Sequence, residues 1–186
     1  IELMDSLDVK HAILVGHSQG CLVTIEAAAS YPDRVKRVAL IAGAMAIPVS
    51  QKLLDMSDKA LTQAISTMIN WGHGPTAHMH DNTQPGHSFI GYGNRLMALN
   101  NQDALRADLT ACNTYTNGHD AAKSLTQPAL CILAENDRMT PLKFGQQMAA
   151  TIANVEMKVI ARAGHMLPAE YPGEVNSALR SFFQLS

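Results

Sequence analysis

One serine in the sequence stands in a pattern that suits covalent catalysis. Gly16-His17-Ser18-Gln19-Gly20 lies between an apolar run that predicts a strand and a run that predicts a helix. The G-x-S-x-G pattern is typical of a nucleophile elbow, a turn so tight that the serine is strained and glycines are needed at its flanks. We therefore predict that Ser18 is a nucleophile and that the backbone N–H of Gln19 stabilises a developing oxyanion.

A serine hydroxyl becomes a good nucleophile only when a base takes its proton, and two further residues suit that task. His165 follows the last predicted strand, and Asp137 follows the strand before it. The carboxyl ends of parallel strands meet at one edge of a sheet, so we expect His165 to be the base and Asp137 to orient it. Glu135 is a competing acid, nearer the end of its strand. The order Ser18, Asp137, His165 suits a strand–turn–helix hydrolase.

Alternating strands and helices would place these residues. We predict four strands, at residues 11–15, 35–42, 129–134 and 155–161. Helices are predicted at the start of the chain, after the elbow, after Thr140-Pro141 as N-cap and first helical residue, and after Pro172. Residues 11–15 form a continuous apolar run, typical of a strand buried on both faces of a parallel sheet. The order of elements predicts right-handed parallel crossovers.

The middle of the chain has a different pattern. Between residues 44 and 125 the apolar residues recur at helical spacing, and residues 71–93 are rich in Gly, Pro, His and Asn. We predict a helical cap or lid insertion with a long loop over residues 44–125. Residues 1–43 and 126–186 would together form the α/β core.

Weaker signals lie around this framework. His17 and Trp71 are candidates for substrate contact, although each also fits a packing role. Four histidines cluster in the insertion without the spacing of a known metal motif, so we expect no metal and no cofactor: His73, His78, His80 and His87.

Composition limits the classes of function. The chain has 186 residues, 47% of them hydrophobic and 16% charged, which is typical of a globular protein. A net charge of −2 gives no basic field for nucleic acid, and no apolar run is long enough to span a membrane. The three cysteines form no spaced pair, so we interpret them as small buried side chains in a reducing, cytoplasmic compartment. No signal peptide is visible, and oligomeric state has no sequence signal.

Together these motifs resemble the α/β-hydrolase superfamily over nearly the whole chain. The resemblance is carried by the elbow, by Tyr31-Pro32-Asp33-Arg34-Val35, by the Asp137 loop with Thr140-Pro141, and by Gly164-His165. It implies an α/β fold, in which a mostly parallel sheet is flanked by helices and carries a helical cap.

Two departures from the family pattern matter. Cys21 stands where many relatives have another glycine. The family also has several strands before the elbow strand, one of whose loops supplies a second oxyanion N–H, and none of these earlier strands is present in this sequence. We therefore expect a truncated chain whose elbow strand is an exposed edge, and which is poorly stable or inactive alone.

The resemblance and the three candidate residues predict a carboxylesterase-like serine hydrolase. Its small-molecule substrate would be a small or medium carboxylic ester, cleaved through an acyl-enzyme. An amide, a lactone or a carbon–carbon cleavage substrate stays open. Two alternatives remain: a non-catalytic or very slow ligand-binding receptor of the same fold, and a cofactor-free perhydrolase or haloperoxidase.

Overall fold

The computed structural model describes residues 1–79, 88–101 and 103–184. One parallel sheet lies at its centre, with strand order β1-β2-β3-β4. The strands are β1 (Ala12–His17), β2 (Val35–Ile41), β3 (Ala129–Ala134) and β4 (Val155–Ile160). Each lies within two residues of a predicted strand, and the predicted α/β class with a parallel sheet is confirmed.

Helices flank the sheet and fill the long connection between β2 and β3. The described helices are α1 (Glu2–Ser6), α2 (Gln19–Ser30), α3 (Gln51–Lys59), α4 (Leu61–Gly72), α5 (Pro75–Met79), α6 (Phe89–Met97), α7 (Ala104–Thr114), α8 (Gly118–Ser124), α9 (Leu142–Thr151), α10 (Leu167–Glu170) and α11 (Pro172–Phe183). Among these described helices, none is long and apolar enough to cross a membrane.

Alternation of side chains along β2 builds two cores. Val38 and Leu40 point to the face covered by α2, α8 and α9, whereas Ala39 and Ile41 point to the face covered by α11. All four side chains are almost fully buried. The central strands therefore read as continuous apolar runs, as both faces of a parallel sheet require.

The prediction that the elbow strand is buried on both faces is wrong. Leu14 of β1 packs into the core on the α2 side, but Ile13 and Val15 on the other face are 45% and 50% exposed. The reason is positional, since β1 is the outer strand of the sheet and α11 lies over β2 and β3. Its place at the edge agrees with the prediction.

Residues 44–79, 88–101 and 103–125 contain helices and no strand, in agreement with the helical interpretation. Leu53, Ala64 and Leu109 form a small core of their own, contributed by α3, α4 and α7. Helix α8 instead packs on α2, and its Ala122 is part of the core beneath the sheet. The division at residues 44 and 125 stays a prediction.

The three cysteines are free and buried, which confirms their interpretation as packing residues. Cys21 Sγ lies 3.2 Å from the Gly16 carbonyl oxygen and 3.3 Å from that of Ile41 and donates to them. Burial raises the pKa of Cys21 and raises that of Cys131 to about 12, so both thiols stay protonated. Cys21 thus ties the elbow helix to the ends of β1 and β2.

Truncation of Leu133 tests the core. Leu133 is 2% exposed on β3, so Leu133→Ala should lower the free energy of unfolding by about 2–5 kcal/mol. Leu99→Ala is the control, because Leu99 is 83% exposed and should change it by less than about 0.5 kcal/mol. Urea denaturation followed by circular dichroism measures both values. Equal effects in the two variants would contradict this description of the core.

Candidate active site

Ser18 occupies the strained position that the elbow pattern predicts. Its φ is 55° and its ψ is −121°, a backbone conformation that residues other than glycine rarely adopt. A Cβ at Gly16 would lie 2.6 Å from Thr24 Oγ1 and closer still to the carbonyl group of Gly20, so only glycine fits there. At Gly20 itself a Cβ would meet no described atom within 4 Å. A glycine is therefore sterically required at position 16 but not at position 20.

The start of α2 leaves a backbone donor beside the serine. Cys21 N–H donates to Ser18 O at 2.9 Å, whereas the Gln19 N–H has no acceptor among the described residues. The Gln19 side chain turns toward the insertion, where its Nε2 donates to Asp108 O at 3.2 Å. An unpaired N–H at the first turn of a helix suits an oxyanion. Its role in catalysis stays a prediction.

A buried hydrogen bond joins the other two candidates. His165 Nδ1–H donates to Asp137 Oδ2 at 2.8 Å, and the two side chains are 2% and 1% exposed. The backbone N–H groups of Met139 and Thr140 both donate to Asp137 Oδ1 at 2.8 Å. The carboxylate is therefore held in one orientation, and among the described residues the His165 ring forms its hydrogen bonds through Nδ1, not Nε2.

Glu135, the competing acid, is turned elsewhere. Its Oε2 accepts the backbone N–H of Arg162 at 2.8 Å, and its side chain is exposed. The structure therefore brings Asp137, and not Glu135, to His165.

The residue before Ser18 contacts the loop that carries His165. His17 Nε2–H donates to the carbonyl oxygen of His165 at 2.8 Å, and the ring centroids are 5.0 Å apart. Ser18 is the next residue along the chain. Among the described residues Ser18 Oγ forms no hydrogen bond, and the hydrogen-bond partners of His165 are His17, Thr140 and Asp137. Without substrate, hydrogen bonds between catalytic groups are often long or poorly aligned. Ser18, Asp137 and His165 follow β1, β3 and β4, so all three lie at the carboxyl ends of the strands.

One protein family matches most of this chain. The model of a family described as "Alpha/beta hydrolase family" matches residues 1–178. The chain belongs to the alpha/beta hydrolase family.

Individual relatives of this hydrolase-family chain are distant in sequence. It is 24% identical to the uncharacterized hydrolase YugF of Bacillus subtilis, with 99% of this chain and 69% of that protein covered. It is 25% identical to a 2-hydroxy-6-oxononadienedioate/2-hydroxy-6-oxononatrienedioate hydrolase of Paraburkholderia phymatum, with 97% and 65% covered. The solved structure of a thermophilic esterase superposes with a TM-score of 0.80 at 26% identity, with 98% and 69% covered. The chain thus spans about two thirds of the length of these relatives.

Thr140 belongs to the site, which the sequence analysis of this hydrolase-family chain missed. The expectation that it is a helix N-cap is wrong, because α9 begins at Leu142 with Pro141 at the cap position. Its hydroxyl lies 2.8 Å from both Ala42 O and Asp137 Oδ2, and 3.2 Å from His165 Nδ1. The clue in the sequence was a hydroxyl residue three positions after the acid.

Trp71 lies in the insertion near the C-terminal end of α4 and is 41% exposed. It lines a cavity of about 100 Å³ together with residues of α3 and α4. None of the three candidates Ser18, Asp137 and His165 lines that cavity. Substrate contact by Trp71 stays a prediction, as it does for His17, whose observed bond fits its alternative packing role.

The histidine cluster of the insertion is only partly described. His73 is buried and its Nδ1–H donates to Ile69 O at 2.8 Å, while His78 Nε2 lies 3.2 Å from Asn70 O. Within residues 1–79, 88–101 and 103–184 no three His, Cys, Asp or Glu side chains are placed to share a metal ion. His80 and His87 lie outside the described residues.

His17 gives the site a dependence of stability on pH. Burial lowers the pKa of His17 below the ordinary value of 6.5, and the nearby His165 lowers it further, partly opposed by the His165 carbonyl and Asp137. The unfolded chain therefore binds a proton at His17 more readily than the folded protein does. This contribution to stability is complete above pH 6.5 and is lost as pH falls below it.

We expect His17→Gln to flatten that dependence. Glutamine keeps an N–H donor for the His165 carbonyl but cannot take up a proton. The free energy of unfolding should therefore fall less between about pH 7 and pH 5 in the variant than in the wild type. Urea denaturation at both pH values measures the difference, and His119→Gln is the control because that side chain is 64% exposed. Identical pH dependence in the wild type and His17→Gln would contradict this account.

Proposed function

We propose that this protein is a serine hydrolase that cleaves a small or medium carboxylic ester through a Ser18–His165–Asp137 triad. The observation that carries the proposal is the buried 2.8 Å hydrogen bond from His165 to Asp137, set beside a serine in a strained elbow. A histidine that donates through Nδ1 is in the tautomer whose Nε2 accepts a proton. The family membership supports hydrolysis as the class of reaction.

The chemistry follows from the positions of these groups. Ser18 Oγ attacks the ester carbonyl while His165 Nε2 takes its proton, and His165 then returns that proton to the leaving alcohol. The Asp137 carboxylate keeps its hydrogen bond to Nδ1 and stabilises the imidazolium. Water then attacks the acyl-enzyme by the same route and releases the acid. The Gln19 N–H is one donor to the oxyanion.

One relative with a solved structure supports an ester as the proposed substrate class. The esterase with a solved structure is 26% identical, and its fold superposes over 98% of this chain. The relative from Paraburkholderia phymatum, which is 25% identical, is named as a hydrolase of dioates. The substrate panel should therefore include neutral p-nitrophenyl esters of increasing acyl length and a monoester of a diacid, whose other carboxylate is free.

Substitution of the triad in the full-length protein tests the mechanism. Ser18→Ala removes the nucleophile, and Asp137→Asn removes the acceptor that fixes the tautomer of His165. Each should lower kcat/KM for p-nitrophenyl esters by about 10⁴-fold. Glu135→Gln is a matched control, because it changes an exposed acid two residues from Asp137 and should retain wild-type kcat/KM. Comparable turnover in Ser18→Ala and the wild type would eliminate the mechanism.

The pH profile of the wild type tests the base separately. Because His165 must be neutral to accept the serine proton, kcat/KM should fall as the solution becomes acidic. A profile that stays flat down to about pH 4 would exclude a histidine base.

A fluorophosphonate probe separates the hydrolase from a ligand-binding receptor that keeps the triad. The hydrolase should label once per chain at Ser18 and also turn over esters. Stoichiometric labelling with negligible turnover across the panel would favour the receptor.

A further inference from the structure

Two short segments cross beside the candidate base. Residues 72–74 end α4 and residues 163–166 carry His165, and Met166 N–H donates to Gly72 O at 2.9 Å. A Cβ on Gly74 would lie 2.6 Å from Gly164 N, and a Cβ on Gly164 would collide with Gly74 N. The insertion and the histidine loop are therefore in backbone contact, at a distance that leaves room only for glycine.

Glu170 bridges the two segments from the end of α10. Its Oε2 accepts the Gly74 N–H at 2.8 Å and the Gly164 N–H at 3.3 Å. The residue is 6% exposed, and its Oε1 is buried without a hydrogen-bond partner among the described residues. Burying a carboxyl oxygen without a hydrogen-bond partner costs free energy. Efficient packing alone therefore does not explain why a glutamate stands at this position.

Burial raises the pKa of the Glu170 carboxyl above its ordinary value of 4.5, and the backbone donors of Gly74, Gly164 and Met166, together with nearby His73, only partly oppose that rise. Whether ionised or protonated, the carboxyl offers an oxygen as an acceptor to both glycines. An amide side chain of the same length offers the same acceptor.

The backbone of the histidine loop is held by four different parts of the fold. Ala163 O accepts the Asn136 N–H from the loop after β3, at 2.9 Å. Gly164 N–H donates to Glu170, and the His165 carbonyl accepts from His17 of the elbow. Met166 N–H completes the set by bonding to the insertion. Two of these four attachments, those at residues 164 and 166, depend on the crossing that Glu170 bridges.

We propose that Glu170 is a positioning residue that fixes His165 by fastening its loop to the end of α4, so that displacement of this end of the insertion displaces the base. The inference rests on the proposed function, because His165 is the group whose position matters. It adds a coupling between the insertion and the triad. The hydrogen bonds of the Glu170 side chain among the described residues go to Gly74 and Gly164, so it acts on His165 through the backbone of Gly164.

Three substitutions in the full-length protein test the coupling. Glu170→Ala removes the acceptor, whereas Gly74→Ala keeps Glu170 but adds a Cβ that would lie 2.6 Å from Gly164 N and 2.8 Å from Glu170 Oε2, which pushes the segments apart from the insertion side. Each should slow fluorophosphonate labelling of Ser18 by about 10- to 100-fold, because a misplaced base costs about that much. The loss should lie in the maximal labelling rate and not in probe affinity. Glu170→Gln keeps an oxygen acceptor and should recover most of the rate.

The control is Glu174→Ala, which removes an exposed carboxylate at the start of the next helix and should label like the wild type. Should Glu170→Ala fail to fold, Gly74→Ala gives the same readout. Labelling at the wild-type rate in either folded variant overturns the inference. So does Glu170→Gln that labels as slowly as Glu170→Ala, because a purely electrostatic or folding role would then explain both.

Hydrogen exchange read by mass spectrometry needs no activity and keeps the inference separate from the proposed function. In Glu170→Ala and Gly74→Ala, residues 72–74 and 163–166 should both exchange faster, while β2 and β3 stay protected. If wild-type Ser18 proves unreactive, the proposed function fails, and exchange alone decides whether the segments are fastened. Continued protection of residues 163–166 while residues 72–74 open overturns the inference.

Discussion

The buried hydrogen bond between His165 and Asp137 is the interaction on which the rest of the site depends. Two polar side chains that are almost fully buried stay there only if their hydrogen-bonding groups are satisfied. Asp137 meets this condition through the Met139 and Thr140 N–H groups and the Thr140 hydroxyl. The network reaches β2 as well, because the same hydroxyl contacts Ala42 O. Removal of one member would leave the others buried and unpaired, so the site forms as a unit.

Backbone strain is concentrated just beyond the carboxyl ends of the strands, where the candidate site lies. Ser18, Ala42 and Arg162 each have positive φ, and they follow β1, β2 and β4 respectively. Such conformations cost about 1–3 kcal/mol each and persist only where the surroundings fix them. The surroundings here are hydrogen bonds: Ser18 N–H to Ile41 O, Ala42 N–H to Ile132 O, and Arg162 N–H to Glu135 Oε2. The sheet thereby holds its loops in conformations they would not adopt alone.

The sequence predicted those parts of the fold that depend on local pattern. β3 is a continuous apolar run buried on both faces, and all four strands could be placed within two residues. The elbow could be placed from its G-x-S-x-G pattern, and the structure shows that position 16 has room only for glycine. Exposure of Ile13 and Val15 could not be predicted, because burial of a strand face depends on what packs over it, and apolar composition does not record that. Thr140 was misassigned for a similar reason. Thr-Pro is a good helix start locally, but the hydroxyl had a stronger partner 98 residues away in sequence.

Glu170 was missed because its partners are backbone N–H groups, which every sequence contains at every position except proline. Its contacts show that the site is not built by the sheet alone. The loops after the strands bring Ser18, Asp137 and His165 to one edge, but part of the backbone that carries His165 is attached to the end of α4. A base attached on one side to the rigid sheet and on the other to the insertion has its geometry set by both. Under the proposed function, the insertion helps to set the position of His165, and a change in its packing would reach that residue through Gly74, Gly164 and Glu170.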